Sequence, residues 1–207
     1  MKTMNLRRFS LGFMLCVLTG LAVAAVPNPV DLLKSTTNQL FATLKQNRQA
    51  LKQNPKNIYK IVDRVLLPIV DLRVMSMSVL GRNAWGGASD TERDQFTKAF
   101  TTTVVKTYSS ALSAYTDEGV KFFPIRGGFQ DTRVLTVNSE ITRPDGPSVP
   151  VSYAMILANN HWKVYDLNVE GISLLQSFRS QFASSLASGK SVANLISQLK
   201  THNAKMA

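Results

Sequence analysis

Val149-Pro150-Val151-Ser152-Tyr153-Ala154-Met155-Ile156-Leu157-Ala158-Asn159-Asn160-His161-Trp162-Lys163-Val164-Tyr165-Asp166-Leu167-Asn168-Val169 is the stretch that decides the fold. Apolar side chains occupy every second position from Val149 through Val151, Tyr153, Met155 and Leu157, the period of a strand with one buried face. Asn159 and Asn160 supply two residues that tolerate positive φ, as a tight hairpin demands, and a second strand returns from His161 to Val169. Upstream, the period of two runs through Val120, Phe122 and Pro124, then through Leu135, Val137 and Ile141. Arg143-Pro144-Asp145-Gly146-Pro147 forms the turn into Val149. Consecutive hairpins predict an antiparallel, strongly twisted sheet of about four strands.

On both sides of this block the period becomes helical. Pro29 after Asn28 opens a long amphipathic helix through Val30, Leu33, Thr37, Leu40, Phe41, Leu44 and Leu51, ending before Pro55. Asn54-Pro55 starts a shorter helix with Ile58, Val62, Val65 and Leu66, which Pro68 closes. Asp71 caps a helix from Leu72 to Leu80, with Gly81 as its exit. Ser89 and Glu92 form a capping box before Phe96, Phe100, Val104, Tyr108, Leu112 and Tyr115. After Gly171 the helical period returns in Ile172, Leu175, Phe178, Phe182 and Leu186, then in Val192, Leu195, Ile196 and Leu199. The order predicts an α+β domain, a twisted antiparallel sheet wrapped by N-terminal and C-terminal helices.

With 207 residues, 44% of them hydrophobic and 18% charged, the chain suits one globular domain and excludes disordered and fibrous classes. Lys2, Arg7 and Arg8 precede an apolar run from Phe9 to Val23, and Ala22-Val23-Ala24 has the small-residue pattern of a cleavage site. Residues 1–24 are therefore expected to be a cleaved signal peptide and 25–207 a single domain beginning at Ala25 or Val26. The apolar run is shorter than the roughly 20 residues that span a bilayer. Leu15 before Cys16 lacks the small side chain of a lipid-attachment signal, so no lipid anchor is expected. Loss of the three N-terminal bases leaves 21 bases against 13 acids, a net charge of +8. An exported protein of that charge meets anionic membrane surfaces or acidic proteins rather than nucleic acid.

A twisted sheet under amphipathic helices can close into a cone with an apolar interior. The candidate lining comprises Met75, Met77, Met155, Phe96, Phe100, Tyr108, Tyr153 and the strand valines. Methionine conforms to irregular apolar guests such as mixed acyl tails. The same residues would also build a filled core, and spacing alone does not separate the two.

An enzyme would need a carboxylate held in that interior, and Asp166 and Glu170 are the candidates for acid/base work. Asp166 or Glu170 would serve equally as a surface carboxylate or as a helix-entry residue. His161 and His202 belong to no nucleophile pattern, and with no cysteine after residue 16 they fall short of a metal-ligand set, so no metal is expected. Gly127-Gly128 lacks the spacing and lysine of a phosphate loop. Arg64, Arg73, Arg82, Arg126, Arg133 and Arg143 are candidates for a pocket mouth or docking face, or are simply solvated.

The run Asp71-Leu72-Arg73-Val74-Met75-Ser76-Met77-Ser78-Val79-Leu80-Gly81-Arg82, with Trp85, resembles the D-F-x-x-M-S-x-x-V-L-G-x-x-W signature of the MlaC/Ttg toluene-tolerance family. Phe96-Thr97-Lys98-Ala99-Phe100, Lys106-Thr107-Tyr108, Arg143-Pro144-Asp145-Gly146, Trp162-Lys163-Val164-Tyr165-Asp166, Val169-Glu170-Gly171-Ile172-Ser173 and Phe178-Arg179-Ser180-Gln181-Phe182 agree in order. The resemblance covers about residues 30 to 200. Leu72 stands where the family has Phe, Phe178 where Tyr is common, and Asn83 to Gly87 depart from the pattern around Trp85.

The resemblance implies a soluble periplasmic phospholipid carrier. Such a protein shuttles lipid between an outer-membrane lipoprotein-porin complex and an inner-membrane MCE-domain ABC transporter complex, and so maintains outer-membrane lipid asymmetry. It implies no catalysis and no cofactor, the bound phospholipid being cargo. Matched positions Met75, Val79, Phe100, Tyr108, Tyr153 and Val169, joined by Val104, Val151 and Met155, are the expected lining of the acyl-chain pocket.

Overall fold

Strand pairing follows chain order in the computed structural model, which describes residues 26–113, 119–143 and 146–206. The expected signal peptide, Tyr115 and the Pro144-Asp145 part of the expected turn lie outside these residues. Strands β1 (Gly119–Phe122), β2 (Val134–Thr142), β3 (Val149–Ala158), β4 (His161–Val169) and β5 (Ile172–Ser173) form one antiparallel meander. Asn159 and Asn160 adopt φ of 49° and 61°, the turn geometry expected of them. The sheet thus has five strands rather than about four.

The additional strand corrects the reading around Ile172, which was expected to enter a helix. Glu170 at φ 53° and Gly171 at φ 85° reverse the chain, so that Ile172 pairs with Val169 and Ser173 with Asn168. The Ser173 hydroxyl then accepts from Gln176 N, and helix α7 (Leu174–Ala187) starts two residues later than the apolar period suggests. At the other edge β1 ends at Phe122, leaving Pro124 outside the strand.

The register between β3 and β4 jumps once. Ala154 faces Asp166 while Met155 faces Val164, so Tyr165 is an extra residue, a bulge. On one side of it, Trp162 and Val164 pack with Met155 beneath the N-terminal helix; on the other, Tyr165 and Leu167 pack against the helical layer. At the bulge Val164 also takes a parallel bridge from Val70, its carbonyl accepting from Asp71 N at 2.8 Å.

Five helices precede the long central one: α1 (Pro29–Gln46), α2 (Arg48–Gln53), α3 (Asn57–Val65), α4 (Leu72–Leu80) and α5 (Arg82–Gly87), with a 3-10 turn at Leu67–Ile69. Then come α6 (Asp90–Ser113), α7 and α8 (Val192–Lys205). Asn28 accepts from Val30 N, Asp71 from Val74 N, and Ser89 and Glu92 bond reciprocally, whereas Asn54, expected to start α3, accepts from Lys56 N in the preceding turn and α3 begins at Asn57 without a side-chain cap. The single long helix expected up to Pro55 is broken at Asn47. Its amide donates to the Thr43 carbonyl at 2.8 Å and its backbone leaves helical geometry, side-chain bonding winning over propagation. Helix α5, which periodicity did not reveal, is a short continuation after Gly81 that buries Trp85.

The buried apolar side chains fall into three clusters, whereas most domains have one contiguous core. The first joins α4, α5 and α6 to α7 and α8, centred on Phe96, Phe100, Phe178 and Phe182, with Phe100 and Phe178 edge to face at 5.0 Å. The second joins α1, α2 and α3 through Leu40, Leu44, Leu51, Ile58 and Val62. The third lies between the start of α1 and the sheet, with Leu33, Val137, Met155 and Trp162. Two distant helices are stitched by Asn203, which accepts from Thr103 Oγ1 and donates to the Ala99 carbonyl, both at 2.9 Å.

Gly81 leaves α4 at φ 79° and ψ 162°, a region closed to residues with a Cβ. A Cβ there would meet no atom closer than 3.8 Å, so the cost of substitution is backbone strain alone. Gly81→Ala is expected to lower unfolding free energy by about 1–3 kcal/mol in denaturant titration.

Candidate functional site

Pairing places Val137 opposite Tyr153, Ser139 opposite Val151, Leu135 opposite Met155 and Val151 opposite Val169. Positions two apart share a face, so β2 and β3 turn Leu135, Val137, Ser139, Val151, Tyr153 and Met155 inward, and the paired residues of β4 follow. The intervening Thr136, Asn138 and Pro150 are exposed. Helices approach this inner face at its two ends: α1 lies by β1, while α4, α7 and the 3-10 turn lie by β4. The start of α1 also covers Val137, Met155 and Trp162 of this face, while the helical cluster reaches it through Tyr165 and Leu167.

The structure distributes the expected pocket residues between two regions. Val151 and Met155 are buried on the sheet face, and Tyr153 is half-buried there with its ring 5.9 Å from Phe122. Val79 and Phe100 are buried in the helical cluster, with Met75 and Val104 packed partly buried against it. Two candidates stand apart. Val169 is 38% exposed at the end of β4, beside the wholly surface-facing Ile172. Tyr108 is 42% exposed and lines a groove of about 390 Å³ between α6, α7 and α8, with Phe178, Leu199 and His202.

Three polar groups on this interior were not anticipated. Trp162 Nε1 and Ser76 Oγ are buried without a hydrogen-bond partner among the described residues. A helical serine can bond its own preceding turn, as Ser78 does with the Val74 carbonyl at 2.8 Å, and Ser76 does not. Ser139, buried opposite Val151, reaches the Val151 carbonyl at 3.4 Å. Burial raises the pKa of the Tyr153 phenol above its ordinary value, an effect that the neighbouring Ser139 hydroxyl opposes. The unsatisfied or shared polar atoms of Trp162, Ser76 and Ser139 leave no trace in the period of a strand or helix.

Asp166 is spoken for by the fold. Its Oδ1 accepts from Leu167 N at 2.8 Å and Leu175 N at 3.1 Å, and its Oδ2 from the Ser173 hydroxyl at 2.6 Å. It holds the entry of α7. Glu170 is an exposed turn residue whose N–H donates to the Pro150 carbonyl. Neither is an acid facing an apolar space. No trio of His, Cys, Asp or Glu among the described residues is placed to bind a metal. Arg73 joins Arg93 in bracketing the Trp85 ring, at 5.4 and 5.7 Å from its centroid.

The model of the family described as "MlaC protein" matches residues 34–201. The chain belongs to the MlaC family. Its relatives include the toluene tolerance protein ttg2D of Pseudomonas putida, 29% identical over 80% of this chain and 76% of that one. The intermembrane phospholipid transport system binding protein MlaC of Haemophilus influenzae is 27% identical over 73% of this chain and 72% of its own. Among solved structures, a phospholipid-binding protein from Ralstonia solanacearum, in complex with a phospholipid, superposes with a TM-score of 0.80 at 25% identity, over 87% of this chain and 99% of that one. The α+β architecture is thus that of the MlaC family, and the signature run from Asp71 to Gly81 is one capped helix of it.

Two outcomes are expected of this MlaC-family interior. Removing the Asp166 carboxylate strands Leu167 N in β4 together with the Ser173 hydroxyl and Leu175 N at the head of α7, so Asp166→Ala is expected to cost about 2–4 kcal/mol of stability by chemical denaturation. The raised Tyr153 pKa favours the neutral phenol in the folded state. Its contribution is full below the unfolded tyrosine value and is lost as pH rises through the folded one, so Tyr153→Phe should flatten the alkaline fall in melting temperature above about pH 10.

Proposed function

We propose that this chain is a periplasmic phospholipid carrier, exported by a signal peptide at residues 1–24 and working as a single domain from residue 25. The observation that carries this reading is likeness to the Ralstonia protein solved with its phospholipid, across nearly all of that protein. The physical need is clear. Two acyl tails present about 30 methylenes, and exposing them to water opposes transfer by ~25 kcal/mol at ~0.8 kcal/mol each. A carrier that offers tails an interior comparable to a bilayer makes exchange nearly neutral, leaving its partners to set direction.

The boundary between the sheet cluster and the helical cluster is the place for the tails. Val151, Tyr153 and Met155 of the sheet face would form one wall, and Met75, Val79, Phe100 and Val104 of the helical cluster the other. Val169, at the exposed end of β4, would mark the mouth. On this reading the protein shuttles lipid between an outer-membrane lipoprotein-porin complex and an inner-membrane MCE-domain ABC transporter complex, sustaining outer-membrane lipid asymmetry. It performs no catalysis, consistent with the occupied oxygens of Asp166 and the exposed position of Glu170. Its only small molecule is its cargo.

Native mass spectrometry of protein purified from a Gram-negative host tests the proposal. The wild type should carry a mass increment of one or more phospholipids, and Val151→Glu, which puts a charge on the wall, should reduce occupancy about tenfold or more. Val151→Trp, which fills space without charge, should do the same where circular dichroism is unchanged. A bare polypeptide mass for the wild type, even after incubation with vesicles, would refute the carrier.

A further inference from the structure

Between Lys45 and Arg64 the chain places six bases, Lys45, Arg48, Lys52, Lys56, Lys60 and Arg64, against the single acid Asp63. Their spacing is three and then four throughout. Lys56, Lys60 and Arg64 therefore run along one side of α3, while Ile58, Ile61, Val62 and Val65 turn to the core. Arg48 and Lys52 lie on α2, and Lys45 lies on the last turn of α1. All six are exposed. Lys45, Lys52, Lys56, Lys60 and Arg64 form no ion pair among the described residues, and α6, which packs on α3, carries no acid from Gln95 to Ser113.

Like charges four apart on a helix repel and weaken it. Among the described residues the five bases without an ion pair leave the ridge with unneutralised positive charge facing solvent, which favours an anionic partner. Cores of protein interfaces are poor in lysine and are anchored by aromatic or large aliphatic groups. The ridge is mostly lysine, and none of the large exposed hydrophobics, Met77, Tyr108, Val134, Val169 and Ile172, belongs to it. Flexible point charges without an anchor suit a fluid charged surface, where each base strengthens attachment about fivefold.

We propose that the elbow formed by α2 and α3 is the surface on which the protein rests on an anionic bilayer, held by lysine and arginine charge. The proposal takes its purpose from the carrier reading: contact with lipid headgroups brings the cargo-bearing interior to the membrane. It depends on electrostatics alone, so attachment is reversible and weakens with salt.

Sedimentation with vesicles tests it, using full-length mature protein and vesicles of phosphatidylcholine with or without phosphatidylglycerol. Wild type should bind only the mixed vesicles, and raised salt should release it. The variant K52Q/K56Q/K60Q/R64Q should lose at least about tenfold in affinity. The control K98Q/K190Q/K200Q/K205Q, which removes the same charge from exposed positions elsewhere, should stay within about threefold of wild type. Equal losses in both variants, or wild-type indifference to phosphatidylglycerol with binding to polyglutamate instead, would overturn the proposal. Co-purified phospholipid, measured on the same samples, reports separately on the carrier: lipid-loaded protein with no ridge effect refutes the ridge alone, and vesicle binding by lipid-free protein refutes the carrier alone.

Discussion

Strand β4 has to serve two layers at once, and the bulge at Tyr165 is how it does so. Before the bulge its inward side chains, Trp162 and Val164, belong to the sheet cluster; after it, Tyr165 and Leu167 belong to the helical cluster. At the same point Val164 receives the Asp71 N–H, which fixes the start of α4, and Asp166 holds the start of α7. The edge of β4 is thereby covered from two directions, by Val70 at the bulge and by the two residues of β5 beyond it. Helices from before and after the sheet meet at this strand because one extra residue turns the chain toward both.

This arrangement explains why the apolar interior is divided. The N-terminal helices build a cluster of their own through Leu40, Leu51 and Ile58, and the C-terminal helices close on α6 through four phenylalanines. The sheet has a third cluster under the start of α1. Met75, Val104 and Leu167 pack partly buried against the helical cluster, and Tyr153 packs partly buried against the sheet cluster.

What was legible in the sequence was whatever is settled within a few residues. Asn28, Asp71 and the Ser89-Glu92 pair cap their helices in the way their types suggest, and Asn159-Asn160 turns as its φ tolerance allows. The face of β3 that carries Val151, Tyr153 and Met155 followed from alternation alone. The remainder depends on partners far away. Nothing near Tyr165 marks it as a bulge, and Ile172 reads as helical until Glu170 and Gly171 fold it back on Val169. Asn47 breaks its helix through a bond that a propensity does not register. Tyr108 keeps the period of α6, yet α7 and α8 leave it in an open groove.

The meander has a consequence for how the molecule assembles. Each strand pairs with its neighbour in sequence, so the sheet is built from contacts that close short loops and form early. The helical coat is joined by contacts such as that of Thr103 with Asn203, which close long ones. Pairing within the sheet is therefore local, whereas closing α6 against α8 joins residues about a hundred positions apart, so the sheet can pair before that part of the coat has closed. A newly made chain would pass through a stage at which the apolar face of the sheet is not yet fully covered.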